Sequence, residues 1–252
     1  MHLPGCGEQG ERYLWQQGIE DWWDLLAARS LHGFSPWRLK QAKTVLQQSI
    51  ALKEDLVAMG NLIPKRHHWR LYKRFKERAL FLDIETNGLS RQQSAITVIG
   101  LAKKGIYRAF VAHENLEEAL PIINSSSMII TFGGAQFDLP FLQAKYPWLS
   151  PPPIHLDLCP LLRRLGLKGG LKRIEKALGL ARPEEVAQMD GYQAVLLWKK
   201  WRKGKTKALE KLLKYNREDV LNLMYLADIA YQGLMQFTLT GKVAALTVSC
   251  GK

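Results

Sequence analysis

Asp83 and Glu85 stand two residues apart near the end of the apolar, β-prone run Ala79-Leu80-Phe81-Leu82-Asp83-Ile84-Glu85. Side chains alternate between the faces of a strand, so both carboxylates point the same way, with Cα atoms roughly 6.5 to 7 Å apart. Two acids on one buried face repel each other and lose hydration. A bound divalent cation resolves both costs, and hard oxygen donors suit Mg²⁺ or Mn²⁺. The competing explanation is a strand end whose acids are exposed and cap the next helix.

Asp219 makes the stronger case. At 100° per residue it falls within the helical stripe of Leu212, Leu223 and Leu226, and a carboxylate on a core-facing stripe demands a partner. Tyr215, four residues earlier, is one turn away on the same face. A Tyr-to-Asp hydrogen bond would satisfy both groups, but it leaves Asp83 and Glu85 without a reason. Asp138 follows the loop Gly133-Gly134-Ala135-Gln136-Phe137, where an acid also serves as a helix N-cap. Asp157 ends another apolar run and is a candidate for capping a helix or for supporting the metal ligands from behind them.

Positioning these acids takes a sheet and a long helix. Short β-prone runs are predicted at 79–84, 95–101, 106–111, 128–132 and 154–158, with Lys103-Lys104-Gly105 as a hairpin turn. Helices are predicted at 114–123, 137–146, 171–178, 191–201 and about 206–231. Strands alternating with helices imply an α/β fold, a mixed sheet covered by helices. Residues 1–75 form a helical N-terminal region, with segments near 11–29, 36–48 and 50–59. The main domain spans 76–235. The tail, 236–252, has weak β character from Thr238.

The 252 residues are 47% hydrophobic, which is ample for a core. Cys6, Cys159 and Cys250 have no metal or disulfide spacing, so a reducing cytoplasm is expected. No apolar run reaches the roughly 20 residues of a membrane span, and Glu8 and Glu11 interrupt any secretory leader. A net charge of +13 points to nucleic acid as partner. Two basic clusters carry much of it: Lys65, Arg66, Arg70, Lys73, Arg74, Lys76 and Arg78, then Lys199, Lys200, Arg202, Lys203, Lys205 and Lys207. Without a Gly-rich loop between strand and helix, oxidoreductases and kinases are disfavoured.

Taken together, Asp83-Ile84-Glu85, Phe137-Asp138 and Tyr215-Asn216-Arg217-Glu218-Asp219 resemble, in order and spacing, the three exonuclease motifs of the DnaQ-like superfamily, in its DEDDy variant. Thr131-Phe132, Asp138-Leu139-Pro140-Phe141, His155-Leu156-Asp157-Leu158, Gly169-Gly170-Leu171-Lys172-Arg173-Ile174-Glu175 and Asp190-Gly191 further resemble the YprB-type branch of ribonuclease-H-like proteins, over about residues 79–230. The resemblance implies a ribonuclease-H-like five-stranded mixed sheet and a 3′-5′ exonuclease of single-stranded DNA or RNA. It also implies two Mg²⁺ or Mn²⁺ ions held by Asp83, Glu85, Asp138 and Asp219. Asp83 would bridge them, Glu85 and Asp219 would serve the ion that generates the nucleophile, and Asp138 the other. Tyr215 would orient the attacking water.

By the same resemblance, Thr86, Asn87, Gly88, Leu89, Gly133 and Phe137 are candidates for contacting the terminal nucleotide. Gly133 stands where the family usually has Asn. That departure supports the alternative of a non-catalytic nucleic-acid-binding scaffold, and an endonuclease is a further alternative. Leu3-Pro4-Gly5-Cys6-Gly7 is reminiscent of helix-hairpin-helix loops, whose amides bind phosphate. Trp15, Trp22, Trp23 and Trp37 could stack on bases or pack in the core.

Overall fold

The computed structural model describes residues 3, 4 and 6–243; Gly5 of the N-terminal turn and residues 244–252 of the tail lie outside the described residues. Four helices open the chain: α1 (Glu8–Gln16), α2 (Trp22–Ala27), α3 (Pro36–Ala51) and α4 (Leu56–Leu62). The single helix expected over 11–29 is divided. Gly18, at φ +76, ends α1, and Asp21 and Asp24 form a capping box that restarts the helix as α2. Ser35 and Asp55 cap α3 and α4, so the third helix begins later than the expected residue 50. A 3-10 turn over Lys65–Leu71, α5 (Tyr72–Phe75) and a second 3-10 turn over Lys76–Arg78 lead into the sheet.

The strands are β1 (Leu80–Thr86), β2 (Ile96–Lys103), β3 (Ile106–Val111), β4 (Met128–Thr131) and β5 (Ile154–Asp157). They lie in the order β3-β2-β1-β4-β5. The first three are antiparallel, while β1–β4 and β4–β5 pair in parallel. This is the mixed five-stranded sheet expected. Lys104 and Gly105, both at positive φ, turn the β2–β3 hairpin. The helices between and after the strands are α6 (Ala119–Asn124), α7 (Asp138–Lys145), α8 (Leu158–Arg164), α9 (Leu171–Ala177), α10 (Glu184–Ala187), α11 (Gly191–Trp201) and α12 (Thr206–Thr240).

Strand alternation divides the core in two. Phe81, Ala102, Ile130 and Leu156 pack with Val220, Leu223 and Leu226 of α12. Leu82, Ile84, Ile99 and Ile129 pack with Leu120 and Phe141 in the other layer. The α12 helix is longer than its sequence suggests, taking in Thr238 to Thr240 where β character was expected. Arg12 Nε donates to the Thr238 carbonyl at 2.9 Å, and Gly241 at φ +72 stops the helix.

Part of the first basic cluster is tied down within the chain, while Lys65, Arg66, Lys73 and Arg78 stay exposed. Arg70 makes a two-pronged bond to Glu11, Arg74 pairs with Glu54 and Lys76 pairs with Asp228. Three of its seven cations therefore fasten the chain to itself across long sequence distances. The second cluster is exposed from end to end and forms no ion pair among the described residues.

Candidate metal centre

β1 is the central strand, and Asp83 and Glu85 leave its face toward α12. The helix can come close only because Gly100 sits opposite Asp83 on β2. A Cβ there would lie 1.9 Å from Asn216 Oδ1 and 2.8 Å from Val220 Cγ2. The close approach brings one carboxylate oxygen each from Asp83, Glu85 and Asp219 within 4.8 Å of one another. Asn216 ties the group together: its Nδ2 donates to Asp83 Oδ2 at 2.8 Å and, more weakly, toward Glu85 Oε1 at 3.5 Å. Its Oδ1 accepts from the Tyr107 hydroxyl at 2.8 Å.

Asp138 is buried beside this trio at the start of α7. Its Oδ1 accepts from the Ile84 backbone N–H at 3.0 Å, between the two β1 acids. Asp157 caps α8 through Cys159 N–H and also accepts from Gly133 N–H at 2.7 Å and Ala135 N–H at 3.1 Å. It thus holds the loop that delivers Asp138. Gly134 is held to Thr131 so closely that any Cβ would collide with it, whereas Gly133, at φ +75, has nothing within 4 Å of a Cβ position.

Asp219 lies in a buried network absent from the sequence expectations. Arg182 Nη2 stands 2.5 Å from Asp219 Oδ1, and Arg182 chelates Glu175 through Nε and Nη2, each at 2.6 Å. Asn222, one turn past Asp219, donates to Glu175 Oε1 at 2.9 Å. The side chains of Arg182, Glu175 and Asp219 are 4%, 2% and 7% exposed, so solvent screens this pair little. Tyr215 is also buried, and Lys172 Nζ lies 4.4 Å from its ring centroid.

The electrostatics follow from crowding. Burial, and then Asp219 and Glu85, push the Asp83 carboxyl well above its usual range. Glu85 is raised by burial and then by Asp219, against the Asn216 hydrogen bond. Burial raises Asp138 to about 7, opposed by its backbone hydrogen bonds. Asp219 is raised by burial and restrained by Arg182. Burial and the neighbouring carboxylates keep the Tyr215 phenol protonated far beyond neutral pH. Four oxygen-bearing acids that resist ionisation together fit divalent cations, which supply the positive charge the group lacks.

The remaining candidates border this group. Thr86 Oγ1 donates to the Gly88 carbonyl at 2.7 Å, Asn87 Oδ1 accepts from Ala95 N–H and Leu89 projects into solvent at 86% exposure. Phe137 packs on Phe141. An open pocket beside Asn87 is lined by His113, Trp198, Lys199, Arg202 and Lys203, joining the second basic cluster to this loop. Trp23 and Trp37 are 61% and 71% exposed, while Trp15 and Trp22 are partly buried.

Asn216, Arg182, Glu175, Lys172 and Tyr107 are the contributors that motif reading left without roles. For Asn216 a signal existed: it is a polar residue inside the same apolar stripe as Asp219. Arg182 carried none, because its partners come from α9 and α12.

A model of the RNase_H superfamily matches residues 80–231. No curated protein matches the chain. Among solved structures, the family B DNA polymerase from the hyperthermophilic archaeon Pyrobaculum calidifontis is similar with a TM-score of 0.53 and 14% identity, over 64% of this chain. The match covers 25% of that polymerase, so the likeness is one of fold. Brucella melitensis NrnC with bound Mg²⁺ gives a TM-score of 0.49 at 18% identity, over 68% of this chain and 80% of that one. No helix among the described residues is long and apolar enough to cross a membrane. With the five-stranded sheet, the acids on its central strand and a family model spanning most of the chain, this protein belongs to the RNase H superfamily.

Proposed function

We propose that the chain is a divalent-metal-dependent 3′-5′ exonuclease of the DEDDy, YprB-like kind, acting on single-stranded DNA or RNA in the cytoplasm. Residues 76–235 would be the catalytic unit and 1–75 a helical appendage. The observation that carries this reading is the convergence of Asp83, Glu85 and Asp219 oxygens within 4.8 Å, with Tyr215 one turn from Asp219. Two Mg²⁺ or Mn²⁺ ions, when bound, would stabilise the attacking and leaving oxygens of an in-line displacement.

Asp83, Glu85 and Asp219 would hold these ions, with Asp138 completing the set. Arg182 pairs with Asp219 Oδ1 without a hydrogen bond to it, so Asp219 keeps acceptor capacity for a cation. The protonated Tyr215 orients the attacking water by hydrogen bonding and does not act as a base. Water attacks the terminal phosphorus, the bond to the 3′ oxygen breaks, and a nucleoside 5′-monophosphate leaves. Thr86, Asn87, Gly88, Leu89, Gly133 and Phe137 would contact the terminal nucleotide, with Asp157 fixing the Gly133 loop. Lys199, Arg202 and Lys203 would hold phosphates further along the strand.

The test uses 5′-labelled single-stranded DNA and RNA with Mn²⁺, Mg²⁺ or EDTA, beside Asp219→Ala and Glu85→Gln. A metal-dependent ladder shortening from the 3′ end, lost in both variants, is the expected result. Internal fragments would point to an endonuclease. Salt-sensitive binding without degradation in any metal would replace this reading with a scaffold, which the Arg182 guanidinium resting on Asp219 specifically favours.

A further inference from the structure

Lys172, the second residue of α9, holds a buried Nζ with no hydrogen-bond partner. It follows Gly169 and Gly170, and the φ of +120 at Gly169 lets the turn close on Arg173 and start the helix. The ammonium lies over Tyr215, on the ring that Arg182 also overlooks at 5.9 Å. Arg182 Nη1 is likewise buried and without a partner. The other Arg182 donors are taken by Glu175 and Asp219.

A buried cation held only for stability closes its hydrogen bonds. Asp219, Asp190 and Glu175 are close enough to attract Lys172, yet none accepts a hydrogen bond from its Nζ; Asp190 caps α11 through Gln193 N–H, and Asp219 and Glu175 pair with Arg182. The charges explain what it awaits. Two divalent cations would offset Asp83, Glu85, Asp138 and Asp219, and Glu175 pairs with Arg182. The Lys172 ammonium is then left without a hydrogen-bonded acceptor, and a phosphodiester oxygen would supply one.

We propose that Lys172 Nζ, assisted by Arg182 Nη1, forms an anion seat that takes a non-bridging oxygen of the scissile phosphate and then of the released 5′-phosphate. This rests on the nuclease reading above. It makes Lys172 a catalytic residue beyond the four acids and the tyrosine, and it gives the Gly169-Gly170-Leu171-Lys172 segment a chemical reason.

The experiment titrates the full chain with Mn²⁺ alone, then the Mn²⁺-loaded chain with deoxythymidine 5′-monophosphate, and repeats both for K172M and K172R. K172M keeps the aliphatic stem against Tyr215 and removes the charge. Its affinity for the nucleotide is expected to fall about tenfold or more, in keeping with the loss of a charge-assisted hydrogen bond, while its Mn²⁺ affinity holds or rises. K172R is expected to keep most of the nucleotide affinity. Should K172M fail to melt cooperatively, K172Q repeats the comparison at similar length. Nucleotide affinity within twofold of wild type in the uncharged variant overturns the seat alone. A wild-type chain that binds no Mn²⁺ brings down the nuclease reading itself, and the seat with it.

Discussion

Gly100→Ala tests whether the distance between sheet and helix builds the metal centre. The added methyl would sit 1.9 Å from Asn216 Oδ1 and 2.8 Å from both Asn216 Cγ and Val220 Cγ2. Real carbon contacts of this kind need more than 3 Å, so a displacement on the order of 1 Å is forced on one side. Val220 is fully buried between helix and sheet and has nowhere to go. Asn216 therefore turns away, breaking its bonds to Asp83 and Tyr107. Overpacking of this size costs about 1–3 kcal/mol, and a hydrogen bond to a charged group contributes about 1.5–3 kcal/mol. The sum, roughly 2.5–6 kcal/mol, corresponds to a Tm lower by about 5–24 °C for a chain of this length.

The assay is thermal unfolding by circular dichroism, with Mn²⁺ titration alongside, because Asn216 aligns two of the acids. Gly191→Ala is the control: no atom lies within 4 Å of its Cβ position and its φ is not positive. It should leave Tm unchanged or slightly raised. A Gly100→Ala protein melting within about 2 °C of wild type, with unaltered Mn²⁺ affinity, refutes the argument that this glycine sets the site.

Three more expectations follow from the same geometry. Raised carboxyl pKa values mean that the folded, metal-free protein holds protons the unfolded chain has released, so these acids lower stability as pH rises through the Asp138 value of about 7. His67, lowered to about 4 by burial and Arg70, acts oppositely but identically with or without metal. The rise in Tm on replacing EDTA with Mn²⁺ should thus grow from pH 5 to pH 8, and a pH-independent rise would contradict it. Gly133→Asn places Asn in a left-handed conformation it tolerates, with open space around it; stability should stay within about 1 kcal/mol by denaturant titration, and the KM for oligonucleotide should fall. Reversing Lys199, Arg202 and Lys203 to Glu should weaken oligonucleotide binding and flatten its dependence on log salt by about 0.7 per lost phosphate contact, with Tm unchanged; an unaltered slope would place the strand elsewhere.

The strands and the acids were legible because local rules govern them. A short, nearly continuous apolar run marks β1, and two acids on one face of it need a partner whatever surrounds them. Asp219 was visible because the 3.6-residue period of α12 is long and regular. The Arg182 network was not, since Glu175, Arg182, Asp219 and Asn222 meet only after α9 folds against α12. The ion pairs within the cluster at 65–78 were hidden for a related reason. A run of cations reads the same whether it faces solvent or meets Glu11, Glu54 and Asp228, and those partners are remote in sequence. Thr238 to Thr240 read as β-prone because propensity ignores the Arg12 contact that secures the helix end.

The same network bears on how a site of four crowded acids survives folding. Carboxylates packed this closely would open the sheet–helix interface if their repulsion were met only by an ion from solution. Here Asn216 donates to Asp83 and Ile84 N–H to Asp138, while the Arg182 guanidinium forms an ion pair with Asp219, so three of the four have a fixed partner within the protein. Glu85 has only the long Asn216 contact, and its carboxyl is raised well above the usual range. The protein's own donors are enough to assemble the centre and leave it short of positive charge at Asp83 and Glu85. A cation arriving there meets oxygens already aligned, and what it displaces is protons.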